Sequence, residues 1–254
     1  MLFKKTFVCL FCSILAFSIS SSSAEDAKLP EGKEVLTRFF KAIGGEEKLA
    51  QLKSTKIDAK VNLLGAGVKG TSKALMSEGN KFKQVMELEG VGSESAGSDG
   101  KTVWAMSAVT GARLVNGREA EQFTLSNSHP FPQVLYPKYF DSIECTGIEK
   151  FDDVDCYVVK YIKGDRKPIL DYFEKETGLL RGTRQNMMGQ QGEIEVKITT
   201  TDYREVDGVK YAYSSVMELG PGLALELKVT SLELNPKLDA SEFDPPSDVA
   251  DLRK

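Results

Sequence analysis

Residues 169–185 read Ile-Leu-Asp-Tyr-Phe-Glu-Lys-Glu-Thr-Gly-Leu-Leu-Arg-Gly-Thr-Arg-Gln. An apolar run ends at Tyr172-Phe173, a polar turn follows from Glu174 to Gly178, and a second strand begins at Leu179. A glycine closing a short polar loop supplies the positive φ that a bulged hairpin needs. Runs of similar length, separated by turn residues, lie on both sides. This hairpin is therefore predicted to be the middle of a long antiparallel meander. No residue in it is assigned a catalytic role.

Working outward, the alternation is clean. Ile57, Ala59, Val61 and Leu63 alternate with polar residues, as do Phe82, Met86 and Leu88, then Ile194, Val196 and Ile198, then Leu223, Leu225, Leu227 and Val229. Period-two patterning means one dry face and one wet face. Leu232 and Leu234 are out of phase with the preceding run, which predicts a bulge near Ser231. Further strands are expected at 69–77, 101–107, 143–149, 156–163, 168–173, 179–185 and 209–217, with turns at Glu78-Gly79-Asn80, Asp99-Gly100 and Asp207-Gly208. Ten or eleven strands sharing one apolar face must curl. The expected fold is mainly β (α+β): a single, strongly curved antiparallel sheet forming an incomplete barrel, with helices on its concave side.

Two helices precede the sheet. Val35, Leu36, Phe39, Phe40 and Ile43 recur at helical spacing after Leu29-Pro30-Glu31-Gly32, and Gly44-Gly45 ends the run. A short second helix is expected from Glu46 to Leu52. Between Arg118 and Phe140 the strand pattern breaks. A helix is expected from Glu119 to Ser126, then a proline-punctuated aromatic segment (Phe131, Tyr136, Tyr139, Phe140) that should lie across the open side of the sheet like a lid.

The N-terminus reads as a secretory signal peptide, residues 1–24. Lys4 and Lys5 precede an apolar run from Phe7 to Ile19, and Ser22-Ser23-Ala24 offers a cleavage site. The run is too short to span a bilayer. Cys9 and Cys12 lie inside it, before any plausible lipid-attachment site, so no lipid anchor is inferred. Residues 25–254 are expected to form one domain, soluble and outside the cytoplasm. Cleavage removes two lysines and takes the formal charge from −4 to −6. That balance argues against nucleic-acid binding, which requires a basic face. Cys145 and Cys156 then remain. A hairpin turning at Asp152-Asp153 would set Glu149 opposite Cys156 and Cys145 opposite Lys160, with the thiols on one face about 13 Å apart. A bridge needs Cα atoms within about 7 Å, so two semi-buried free thiols are expected.

Motifs for chemistry are weak. Gly65-Ala66-Gly67-Val68-Lys69-Gly70 matches G-x-G-x-x-G, but turn and strand residues follow it where a dinucleotide site needs a helix. His129 is the single histidine, without cysteine partners for a structural zinc, and no G-x-S-x-G elbow is present. The carboxylate pairs Asp152/Asp153 and Glu174/Glu176 sit in turns. No catalytic residue, cofactor or metal is expected. Trp104 is expected in the core or on a cavity wall. Met187 and Met188 sit at a polar hairpin tip, 186–192, where adaptable side chains suit variable apolar partners.

Four segments, in order and spacing, resemble the outer-membrane lipoprotein-sorting (LolA-like) family. They are Gly44–Leu49, Ser98–Trp104, Tyr172–Arg181 and Asp202–Lys210, followed by Phe243-Asp244-Pro245-Pro246. The resemblance implies an incomplete barrel around helices with an apolar cavity, in a periplasmic protein without a cofactor that shelters lipid chains or a lipoprotein. Proteins of this fold also serve as periplasmic sensor or regulatory modules. Two functions follow as expectations. The first is a carrier whose cavity is lined by Phe39, Phe40, Trp104, Tyr136, Phe140, Met187 and Met188. The second is a non-enzymatic module with a filled interior that docks on an envelope protein partner.

Overall fold

The computed structural model describes residues 28–189 and 192–252. The signal-peptide assignment lies outside the described residues. Thirteen strands form one antiparallel sheet. β1 (Ser54–Leu64), β2 (Val68–Ser77), β3 (Lys81–Leu88), β4 (Gly92–Asp99), β5 (Val103–Ser107) and β6 (Gly111–Val115) make the first half. The second half is β7 (Ser142–Phe151), β8 (Val154–Ile162), β9 (Ile169–Glu174), β10 (Leu180–Gly189), β11 (Gly192–Val206), β12 (Val209–Gly220) and β13 (Leu223–Leu234). The spatial order is β6-β5-β4-β3-β2-β1-β13-β12-β11-β10-β9-β8-β7. Every neighbour is a hairpin partner except β1 and β13, which join the two halves. The sheet does not close, and β6 and β7 are its two edges.

That topology decides where the lid lies. The chain leaves one edge at Val115 and must reach the other edge at Ser142. It does so through α3 (Gly117–Asn127), a 3-10 turn at Pro132–Val134 and α4 (Tyr136–Tyr139). The crossing runs over the concave face, where Leu125, Phe131 and Tyr136 are buried in one cluster with residues of the first helix, α1 (Gly32–Ala42).

α1 (Gly32–Ala42) and α2 (Glu46–Ala50) enter the same hollow. The Glu34 carboxylate accepts the Glu31 backbone N–H at 3.0 Å and caps α1. Val35, Leu36, Phe39, Phe40 and Ile43 are all buried, each contributing about 2 kcal/mol of apolar burial. An eleven-residue helix would be marginal alone; it is held by packing and by two pins to strand turns. The Lys210 N–H donates to the Ile43 carbonyl at 2.8 Å, and Arg38 donates to the Lys175 carbonyl at 2.9 Å.

The register shows two bulges that the alternation anticipated. Asp58 pairs with Ser231 and Ala59 with Val229, so Thr230 is the extra residue, one position from the expected site. The hairpin at 169–185 turns through Gly178 at φ 73, with a register shift between Leu180 and Gly182. Two short strands, β4 and β6, were not anticipated and raise the count to thirteen. The glycine motif at 65–70 is the β1–β2 hairpin. The Met187 region is strand rather than hairpin tip, since pairing continues to Gly189 and Gly192.

A third bulge corrects the cysteine geometry. Glu149 faces Cys156 as expected, but Cys145 faces Val159 and not Lys160, because Thr146 is an extra residue. Directly paired residues share a face. Cys145 therefore points inward with Val159, while Cys156 points outward into a small cluster with Phe151, Val158 and Tyr172. Both are free thiols. Burial raises the pKa of Cys145, and burial with the nearby Glu174 charge pushes Cys156 to about 11. Both thiols of the form lacking residues 1–24 are expected to react slowly with an alkylating reagent in the native state and rapidly in denaturant without reductant. Recovery of no free thiol after unfolding would show that a bridge forms despite the bulge.

Candidate ligand cavity

A cavity of about 480 Å³ lies between the lid and the concave face. Its roof is the lid: Phe123 and Ser126 of α3, then Pro130, Phe131 and Tyr136. Phe39 of α1 closes one side. The floor comes from three central strands, with Leu180 and Met187 on β10, Ile198 and Tyr203 on β11, and Tyr211 and Met217 on β12. Thr200 and Tyr203 both reach the cavity although they are three apart, which strict alternation forbids. Asp202 between them sits at φ 54 and shifts the phase. Aromatic edges tighten the wall, with Phe131 and Tyr211 at 5.6 Å in T-shaped contact and Phe39 and Phe173 at 5.1 Å.

The polar lining is uncharged. Gln122, Asn127, Gln133, Thr183, Gln185 and Ser215 face the cavity among the apolar groups, and among the described residues no Lys, Arg, Asp or Glu does. Behind that lining sits one carboxylate. Asp171 is 0% exposed and accepts from Thr183 Oγ1 at 2.6 Å and from Gln133 Nε2 at 3.0 Å. Burial pushes its pKa up to about 6, against the opposing pull of those hydrogen bonds. Gln133 belongs to the lid and Thr183 to β10, so Asp171 ties roof to floor. The buried phenols of Tyr136 and Tyr161 are held neutral, well above their ordinary range, by burial and then by the Asp171 charge. Although Tyr161 lies close enough to Asp171 to feel that charge, its hydroxyl has no well-formed hydrogen bond.

Outside the cavity, ion pairs fasten the lid. Arg113 makes a two-pronged contact to Glu119 at 2.9 and 2.6 Å, Arg118 reaches Asp165 at 2.8 Å, and Arg166 pairs with Glu121. These are half-exposed or exposed, so each contributes little to stability, but together they fix where the lid sits. His129 accepts the Phe131 N–H on Nδ1 at 3.1 Å. Burial lowers its pKa, which suits a neutral ring bracing the turn.

Of the residues expected at a cavity, Phe39, Tyr136 and Met187 line this one. Phe40 is buried in the adjoining concave core. Phe140 lines a smaller hollow of about 90 Å³ with Leu125, Tyr139 and Arg166. Trp104 lines neither; its neighbour Ala105 pairs with Ala96 and so with the concave Gln84, which sends Trp104 to the convex face. The Met188 side chain lies outside the described residues. The polar residues Gln133, Thr183 and Asp171 were not anticipated. The available signal was Asp171 itself, a charged residue between Leu170 and Tyr172 in an otherwise apolar strand. Among the described residues no group of three or more His, Cys, Asp or Glu side chains could hold a metal ion, and no helix is long and apolar enough to cross a membrane.

Neither a protein-family model nor a curated protein sequence matches the chain. Solved structures do. A LolA superfamily protein from Nitrosomonas europaea superposes with a TM-score of 0.57 at 12% identity, over 85% of this chain and 99% of the other. An outer membrane lipoprotein-sorting protein domain from Vibrio parahaemolyticus gives 0.55 at 14%, over 83% and 95%. A DUF1329 family protein from Desulfovibrio piger gives 0.56 at 13%, over 84% and 95%. At such low identity the likeness establishes the fold: this chain has the open, curved sheet of the LolA-like structures.

Proposed function

We propose that this protein is a non-enzymatic periplasmic carrier that shelters the acyl part of a lipid or lipoprotein. The observation that carries the reading is the cavity of about 480 Å³ beneath the lid. Apolar pockets of this size with a few polar groups are the usual form of small-ligand sites. Its place, between a helical lid and the concave face, is where a LolA-like fold leaves room. The two neighbours named for lipoprotein sorting or the LolA superfamily support the same class of cargo. A soluble export route through the signal peptide, and delivery to an envelope partner, complete the proposal.

The second reading, a sensor or docking module with a filled interior, draws on the packed cluster around α1 and on Phe40 and Trp104, which are buried and line neither of the two cavities described above. Ligand uptake separates the two. Ala212 lies on the cavity floor, and an indole there would occupy much of the free space. Ala212→Trp is expected to weaken uptake of a fluorescent apolar probe about tenfold, with unfolding cost within the ~1–3 kcal/mol of overpacking. Mass spectrometry of lipid extracted from protein purified out of its native envelope should show acyl chains in the wild type and few in the variant. No bound lipid and no probe uptake by the wild type would favour the filled module.

A further inference from the structure

The carrier proposal leaves open what the polar end of the cargo looks like, and the hydrogen-bond pattern of the cavity addresses that. Four polar side chains that face it spend protons on the protein. Gln133 Nε2 and Thr183 Oγ1 donate to Asp171 at 3.0 and 2.6 Å. Asn127 Nδ2 donates to the Phe123 carbonyl at 2.8 Å, and the Tyr203 hydroxyl donates to the Leu180 carbonyl at 2.7 Å. Thr183 and Tyr203 keep lone pairs, while Gln133 and Asn127 each keep an amide oxygen and one amide N–H. With Ser126, Gln185, Thr200, Tyr211 and Ser215 also on the lining, the cavity offers neutral donors and neutral acceptors.

The charge distribution decides more. Among the described residues no cationic side chain lines the cavity, and the arginines on the lid and beside it are already paired, Arg113 with Glu119 and Arg166 with Glu121. The fully buried carboxylate of Asp171 lies directly behind Gln133 and Thr183. The phenols nearest to it, Tyr136 and Tyr161, stay neutral. A second anion would enter a low-dielectric space facing a carboxylate, with no cation to compensate it.

Resting on the carrier reading, we infer that the cavity selects an uncharged amphiphile, such as a monoacylglycerol, and rejects a free carboxylate. Asp171 is the specificity residue. It acts by its charge, directly behind Gln133 and Thr183.

The test is displacement of a neutral fluorescent probe, N-phenyl-1-naphthylamine, from the wild-type protein at about pH 8. The competitors are 1-palmitoylglycerol, methyl palmitate and palmitate. The glyceride and the ester are each expected to compete at least about tenfold better than palmitate, the effect of one like charge nearby. Asp171→Asn should improve palmitate about tenfold and leave methyl palmitate unchanged. This wild-type comparison needs no variant, so a poorly folding Asp171→Asn does not remove the test. Palmitate competing as well as the glyceride, with the probe bound, would overturn the inference and leave the carrier reading standing. An unchanged palmitate gap in Asp171→Asn would remove the role of Asp171. A probe that never enters would overturn the carrier reading and this inference together.

Discussion

Asp171→Asn is expected to change the pH dependence of stability by about 3 kcal/mol. The carboxyl titrates at about 6 when folded, against an ordinary 3.8. Burial is the main cause, and the hydrogen bonds from Thr183 and Gln133 oppose it. Between those two values the folded state holds the proton and the unfolded state has released it. Stability that is fully present below about pH 4 is therefore lost as pH rises through about 6. Roughly two pKa units correspond to about 3 kcal/mol. Asparagine keeps the shape and cannot ionise. Urea unfolding of both proteins at about pH 4, 5, 6 and 7 isolates the effect, because other groups such as His129 contribute equally to each and cancel in the difference. The wild type should fall relative to the variant across that window and run parallel to it above. Parallel curves throughout would mean that the carboxylate is better solvated than its burial indicates, and would remove the charge argument from the cavity as well.

The same residue shows what was legible in the sequence. The stretch around it gave the hairpin, its glycine and its bulge, because a turn glycine and an apolar alternation are local signals. The curled sheet followed from counting apolar faces. The lid was legible from three prolines among aromatics, although its path from one sheet edge to the other depends on strand order, which no local pattern carries. β4 was missed because Gly92–Asp99 has no large apolar residue to mark a face; its Gly97 is instead the bare spot beneath an indole. The cysteine geometry failed for one residue, Thr146, since an extra residue with no charge or turn signature reverses a face without a trace in the sequence. Phe39 and Tyr136 were expected as aromatic cavity walls and Met187 as an adaptable apolar contact, and all three line the cavity under the lid. Gln133 and Thr183 were not, because their importance lies in a carboxylate reached only through tertiary contact. Trp104 was placed correctly in the interior and on the wrong side of the sheet for a cavity wall.

Trp104 supports the second large effect. Its indole is 0% exposed and lies on the convex face opposite Gly97, its cross-strand partner. By register the same face carries Lys56, Leu75 and Lys83. The C-terminal 3-10 turn at Ala240–Phe243 packs on β3 and β4, and α5 (Ser247–Asp251) packs on β6. The Lys56 pKa, raised chiefly by its hydrogen bond to Glu233, also responds to the charge of Glu242 in that turn. The tail therefore covers the outside of the sheet over Trp104, and Phe243 and Val249 are buried there. Trp104→Ala is expected to cost about 3–5 kcal/mol, measured by denaturant unfolding. Trp104→Phe should cost far less, about 1 kcal/mol, because Nε1 makes no hydrogen bond that phenylalanine would lose. Gly97 supplies the control. A Cβ built there would lie 2.5 Å from Cζ2 of the indole, so Gly97→Ala should cost about 1–3 kcal/mol by overpacking. With the indole gone that clash has no partner, and Gly97→Ala should cost clearly less in the Trp104→Ala background than in the wild type. Additive losses in this cycle would show that the two positions do not meet. A mild Trp104→Ala would show that the tail does not seal this face.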